Sequence, residues 1–303
     1  MINSIPEIYR RISVQELFKT NTFSNCWEIW QPKIREIIGA NYNEQNIIDL
    51  GDHLTDIFRT TGSKGRGQGE LSGGGAAWES LVCWYINLCT IGSSIVAVKK
   101  MSLVPIPIQN AITINYGNFA CNTESDISII IFPNIEEFTN NVIQTSNQKI
   151  SSSKLFMTYI NQLVQKYFEK FEIGIVQCKT NWNDNAQIPM LWDMIYSSNG
   201  FSGRNITIGR ENFNINQAKK FTYSFVTVPS NKNTHFKTDS VAVKRVTNLS
   251  GGNYWGKPTQ QNIARSLKEI FNNNFQSGFR KNIREDIRSL LPKLSAELSF
   301  FKI

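Results

Sequence analysis

In IGIVQCKTNWNDNAQIPMLWDMIY, residues 173–196, a run of apolar and β-branched residues ends at Lys179, and the apolar segment that follows carries a single acid, Asp193. IGIVQCK is too short and too continuously apolar for an amphipathic helix, and it reads as a buried strand. NWNDNAQ is dense in turn formers and reads as a loop. A helix is expected from near Pro189, because proline is pre-set for a first helical turn. The strand therefore delivers Lys179 at its end, and Asp193 lies on the first turns of the helix behind it.

The neighbouring segments extend this pattern. SDISIIIFP (125–133) is nearly all β-branched and is expected as a central strand. SIVAVKK (94–100), AITINYG (111–117), TYSFVTV (222–228) and SVAVKRV (240–246) read as further strands. AAWESLVCWYINLC (76–89) is apolar on nearly all sides and reads as a buried helix. SSKLFMTYINQLVQKYFEKF (152–171) is a long amphipathic helix with serines suited to capping its start. Within residues 1–60, ISVQELFKT, WEIWQPKIREIIG and NIIDLGDHLTDIFRT have helical spacing, and QNIARSLKEIF and the C-terminal tail are helical as well. LSGGNYWGKP (249–258) reads as a loop. So does TTGSKGRGQGELSGGG (60–75), which holds seven of the 19 glycines. This order of helices and strands implies an α/β fold, a mixed β-sheet core flanked by helices.

A chain of 303 residues that is 41% hydrophobic can bury a large core. Its net charge of +8 would attract polyanions, nucleic acid before neutral substrates. The five cysteines include no CxxC pair and the two histidines, His53 and His235, are far apart, which argues against structural zinc and for reduced thiols in a cytoplasm. MINSIPEIYRR has no signal-peptide core, and the uncharged run 80–98 is broken by Asn87, Gly92 and two serines, so it reads as helix, turn and strand rather than a membrane span. No Walker pattern and no internal repeat occurs. No Ser/His or Cys/His nucleophile stands out, since Cys178 alternates away from Lys179.

Three charges fall where burial should exclude them: Asp126 at the head of SDISIIIFP, Lys179 at the end of IGIVQCK, and Glu79, the only charged residue between Leu71 and Val98. Buried charge is paired or functional. Singly, each has a plain structural reading: a strand terminus in solvent for Asp126, a snorkelling side chain for Lys179, a first-turn acid favoured by the helix dipole for Glu79. Together they resemble the PD-(D/E)XK nuclease superfamily, in particular its type II restriction endonucleases. In that family an Asp opens one strand, an acid-x-Lys triplet lies on the neighbouring strand, and an acid often comes from a preceding helix. Here Ser125-Asp126 stands for PD, Gln177-Cys178-Lys179 for the triplet, and Glu79 in GGGAAWESLV for the helix acid. The proline is replaced by Ser125 and the triplet acid by Gln177. One subgroup of these enzymes similarly lacks the triplet acid and recruits a carboxylate from the following helix. Here thirteen residues separate Lys179 from Asp193, and 52 separate Asp126 from Lys179.

The resemblance implies a restriction-endonuclease-like fold: a single nuclease domain over residues 1–303, with 1–60 a helical N-terminal extension and 76–196 the catalytic core. It implies Mg²⁺ held by Asp126, Asp193 and the carbonyl of Cys178, with Glu79 assisting through water, and Lys179 on the attacking water and the scissile phosphate. Gln177 could orient a water as a neutral amide. The rival acids Asp184 and Glu172 read as solvated, the first in a turn and the second one position before the strand. Lys64, Arg66, Arg204 and Lys257 are candidates for phosphate contacts, and Arg204 and Arg210, with Asn205 and Asn212, for reading base edges. The loop 60–75 reads equally as a plain surface connection, and GFSGRNITIGREN (200–212) equally as an ordinary hairpin. A palindromic target would imply a homodimer, and the family implies a cognate methyltransferase. Two other readings stay open: a structure-specific repair or recombination nuclease of the same fold, and a non-catalytic DNA-binding protein.

Overall fold

The computed structural model describes residues 4–61, 68–121, 125–139, 153–180, 187–227, 253–254 and 267–303. Its centre is a five-stranded mixed sheet in the order β1 (Ile95–Val98), β4 (Ile127–Ile131), β5 (Glu172–Lys179), β7 (Lys220–Thr227) and β8 (Asn253–Tyr254). β4 pairs antiparallel with β1 on one side and β5 on the other, whereas β5, β7 and β8 run parallel. A second, three-stranded antiparallel sheet has the order β3 (Phe119–Cys121), β2 (Ile114–Tyr116) and β6 (Ile206–Ile208).

Strand parity decides what each face of the main sheet meets. Ile95, Ala97, Ile127, Ile129, Val176 and Cys178 point into one core, built with α1 (Ile5–Leu17), α2 (Asn21–Ile38), α3 (Glu44–Thr60), α4 (Gln68–Cys89), α9 (Leu267–Asn274) and α10 (Ile283–Leu290). Val96, Val98, Ile130, Ile173 and Ile175 point into the other. That second core is closed by α5 (Ile106–Ile112), α6 (Glu136–Thr139), α7 (Ser153–Tyr167), α8 (Gln187–Ser197) and the small sheet. Burial on both faces explains why β4 and residues 173–176 of β5 are nearly all apolar instead of alternating. Gly174 sits mid-strand because a Cβ there would lie 3.0 Å from Thr222 Oγ1 and 3.1 Å from Ile129 Cβ.

α1 is fastened by a buried ion pair. Arg10 donates to both carboxylate oxygens of Glu7, at 3.2 and 3.1 Å, to Thr90 Oγ1 at 2.6 Å and to the carbonyl of Ile95 at 2.7 Å. Glu7 also accepts from the Gly92 amide at 2.8 Å. Gly92 has φ +79°, and a Cβ there would meet the Asp286 carbonyl at 2.7 Å, so the turn from α4 into β1 depends on that glycine.

Several expectations need correction. The glycine-rich stretch is not a loop as far as residue 75, since α4 starts at Gln68 and runs through Gly73 to Gly75. Each glycine costs about 0.5–1 kcal/mol in a helix, but extending a helix already nucleated by a buried segment is far easier than starting one. Glu79 thereby lies three turns inside α4 rather than in its first turn, where a dipole argument would apply. Residues 111 and 112 close α5, and Ile114–Tyr116 belongs to the small sheet. Within 249–258, Asn253–Tyr254 pairs with β7 instead of looping. Glu172 is not solvated: it opens β5, is 5% exposed, pairs with Lys219 at 2.7 Å and accepts a hydrogen bond from Ser277 Oγ. The proposed strand 240–246 and Asp184 lie outside the described residues.

Candidate active site at one end of the main sheet

β4 starts, and β1 and β5 end, at the same edge of the sheet, because antiparallel pairing alternates direction. The register that pairs Ile127 with Val176 brings Asp126 alongside Gln177. Parity then puts Asp126, Gln177 and Lys179 on one face, with Cys178 on the other. Asp126 is fixed by accepting a hydrogen bond from the Cys178 amide, 2.7 Å from its Oδ2. That amide lies two residues beyond Val176, the partner of the first residue of β4, so the carboxylate takes the place of the next rung of the ladder. A charge-assisted bond of this kind holds the acid one peptide from Lys179.

Glu79 approaches the same edge from α4. Its Oε2 is 3.1 Å from Lys99 Nζ, and Lys99 directly follows β1. Burial pushes the Cys178 thiol well up, and the charges of Asp126 and Glu79 push it further, while Lys179 opposes them. All three charges therefore act on one thiol. Asp126, Gln177 and Lys179 are thus brought together on one face, with Glu79 at the same end of the sheet on the Cys178 side. Lys179 is partly buried and makes no ion pair among the described residues.

Gln177 is 0% exposed. The Tyr223 hydroxyl, on the adjacent β7, donates to its Oε1, and its Nε2 has no hydrogen-bond partner among the described residues. The residue standing at the triplet-acid position is thus a buried neutral amide tied to the sheet. Asp193 lies in α8; its side chain is outside the described part of the structure. Among the described residues, no three His, Cys, Asp or Glu side chains are grouped closely enough to hold a metal ion. The carboxylate fixed at this end of the sheet is Asp126. That suits Mg²⁺, which keeps several waters and takes one or two carboxylates together with substrate oxygens, rather than an all-protein cage.

Of the basic residues proposed for DNA, Lys64, Arg66 and Lys257 lie outside the described residues. Arg204 and Arg210 flank β6 in the small sheet, not the main one. Arg204 ends a short helical turn beside Asn205, which has φ 53°. Arg210 forms a bridge with Phe213 and an exposed ion pair with Glu211 at 3.2 Å. Two participants escaped the sequence reading, Lys99 and Tyr223. The only signal for Lys99 was its place as the first of the two lysines in VKK, ordinary for a strand leaving a core. Tyr223 gave none, because an aromatic in a strand is routine packing.

No protein-family model and no curated protein sequence matches the chain. The fold itself is a mixed α/β arrangement of two sheets flanked by helices. Among the described residues, no helix is long and apolar enough to cross a membrane.

Proposed function

We propose that the chain is a Mg²⁺-dependent endonuclease of the PD-(D/E)XK superfamily, a type II restriction enzyme that hydrolyses phosphodiester bonds of double-stranded DNA at a specific sequence. The observation that carries this reading is the hydrogen bond from the Cys178 amide to Asp126, which ties the strand-opening acid to the residue before Lys179. The approach of Glu79 to the same edge supports it, as does the mixed sheet between two helical layers.

Asp126, the Cys178 carbonyl and Asp193 would hold Mg²⁺, with Glu79 contributing through water. Bound there, the ion supplies Lewis acidity that offsets charge developing on the phosphate oxygens. The protein's own groups do the rest. The Cys178 amide fixes the orientation of Asp126. Lys179 donates to the scissile phosphate and lowers the cost of forming hydroxide beside it. Gln177, buried and held by Tyr223, keeps the end of β5 in place without adding charge, which leaves the missing acid to Asp193. A homodimer on a palindromic site and a partner methyltransferase belong to the same reading.

Incubating the purified protein with plasmid DNA, with Mg²⁺ and with chelator, separates the alternatives. Discrete fragments only in Mg²⁺ support the restriction enzyme. Cutting confined to branched or damaged DNA identifies a structure-specific nuclease of this fold, and binding without cutting a non-catalytic DNA-binding protein. The non-catalytic reading draws on the buried amide at position 177, so the acid is tested separately. Asp193→Ala is expected to abolish cleavage while Gln177→Ala leaves most of it, and the reverse result would refute the assignment.

A further inference from the structure

The small sheet has a rim that its core does not use. Tyr116 pairs with Phe119 on one side and with Ile206 on the other, so strand parity puts all three on the face that buries Ile114 and Ile208. Phe119 lies where that face runs out past its cover, and it is 67% exposed. Gly117 and Asn118 make the two-residue turn between β2 and β3, with Gly117 at φ +57°, as a glycine-first hairpin turn requires. A Cβ at Gly117 would meet nothing within 4 Å, so the tip projects into open space. Two contacts fix where it projects. The Gly117 amide donates to the Asn205 carbonyl at 2.8 Å, which ties the tip to the turn that carries Arg204. The Tyr116 ring meets Trp192 edge-on with centroids 6.2 Å apart, and Trp192 precedes Asp193 in α8, the helix that follows the Lys179 end of β5. The rim is therefore held beside the candidate site.

The chemistry of the rim is one-sided. No charged residue occurs between 101 and 123, and Arg204 is exposed and makes no ion pair among the described residues. Asn118 and Asn205, both exposed, add amides beside them. An exposed ring, an unpaired cation and amides with no acid among them fit a polyanion that also offers flat apolar faces, which is the chemistry of DNA. Resting on the DNA-cleaving reading above, we infer that this rim contacts the duplex: Phe119 wedges against a base step beside the candidate site, and Arg204 holds a neighbouring phosphate. A wedge of this kind partly unstacks the step it enters. Its cost is smallest where the bases are already mispaired.

The experiment is fluorescence anisotropy of the full chain, in chelator, with two short random-sequence duplexes that differ only in one central mismatch. Circular dichroism checks folding, and sedimentation reads the oligomeric state. The proteins are wild type, Phe119→Ala, Phe119→Ser, Phe119→Tyr and Arg204→Met. Wild type should bind the mismatched duplex about fivefold more tightly. Phe119→Ala and Phe119→Ser should lose that preference and weaken binding to both duplexes at least about fivefold, and either variant, if folded, suffices. Phe119→Tyr should keep the preference, because stacking needs only the ring. Arg204→Met should weaken both duplexes alike and lower the log–log salt slope by about one. No preference in wild type, a preference that survives Phe119→Ala, or an unchanged slope in Arg204→Met overturns the inference. So does a loss of binding that accompanies conversion of a dimer to a monomer, since the ring would then belong to a subunit interface. If wild type binds neither duplex, the DNA-cleaving function fails as well.

Discussion

Asp126 does two jobs that a neighbouring residue could not share. It terminates the ladder by taking the Cys178 amide, and it brings a carboxylate to within a peptide of Lys179. Asp126→Asn keeps a weaker acceptor for that amide, so the protein should fold while losing the charge. The same local environment makes a second expectation. Cys83, Cys89 and Cys178 are buried, and burial pushes each thiol up, Cys83 to about 12. At pH 8 almost none of the three is thiolate. Titrating the native protein with Ellman's reagent should therefore find Cys26 and Cys121 reacting quickly, and all five cysteines only after unfolding. A third fast thiol in the native protein would contradict the burial. Lys179 and Asp126 were legible in the sequence because charge at the tip of an apolar strand is conspicuous. Lys99 was not, because its meaning depends on Glu79, which lies across a helix, a turn and a strand.

β4 and β5 were readable as elements because a strand covered on both faces carries a nearly continuous apolar run, without the alternation of a half-exposed one. The start of α4 was not readable. Glycine lowers local helix propensity, and the packing of α4 overrides it. The turn from α4 into β1 depends on Arg10, whose guanidinium bonds Glu7, Thr90 and the carbonyls of Ser93 and Ile95. Arg10→Ala would leave the Glu7 carboxylate buried without its partner, and urea unfolding should show a loss of about 3–5 kcal/mol. A smaller loss would mean that the turn relaxes and admits water. At the far end of β5, burial tends to raise the Glu172 carboxyl, but hydrogen bonds from Lys219 and Ser277 outweigh it and hold the group below its ordinary range. A depressed carboxyl adds stability above its unfolded value, and that stability is lost as pH falls through the folded value. Glu172→Gln should thus cost about 1 kcal/mol at pH 7 and progressively less as the pH drops below the usual glutamate range. A cost that stays constant into acid would assign it to packing.

The whole molecule carries +8 at neutral pH. If about six phosphates are contacted, affinity for random-sequence duplex should fall about a thousandfold between roughly 50 and 200 mM salt, with a linear log–log slope. A flat salt response, measured by fluorescence anisotropy, would remove duplex DNA as the partner. The mixed sheet between helices could be anticipated from the order of elements. Its strand order could not, because β1, β4 and β5 join through pairings between distant residues that no local pattern records. Part of the second sheet was hidden for the same reason, since Ile114–Tyr116 finds one partner in Ile206–Ile208, some ninety residues later; its other partner, Phe119–Cys121, is local but only three residues long. The site inherits this limit, since the pairing of β4 with β5 is what brings Asp126 and Lys179 together. The most direct test of that site is the single-turnover rate of plasmid cleavage in Mg²⁺ by wild type, Asp126→Asn and Lys179→Met. Wild type should yield discrete fragments, and each substitution should slow cleavage about a hundredfold or more with folding intact. DNA bound but left uncut by wild type, or cut by Asp126→Asn at the wild-type rate, would contradict it.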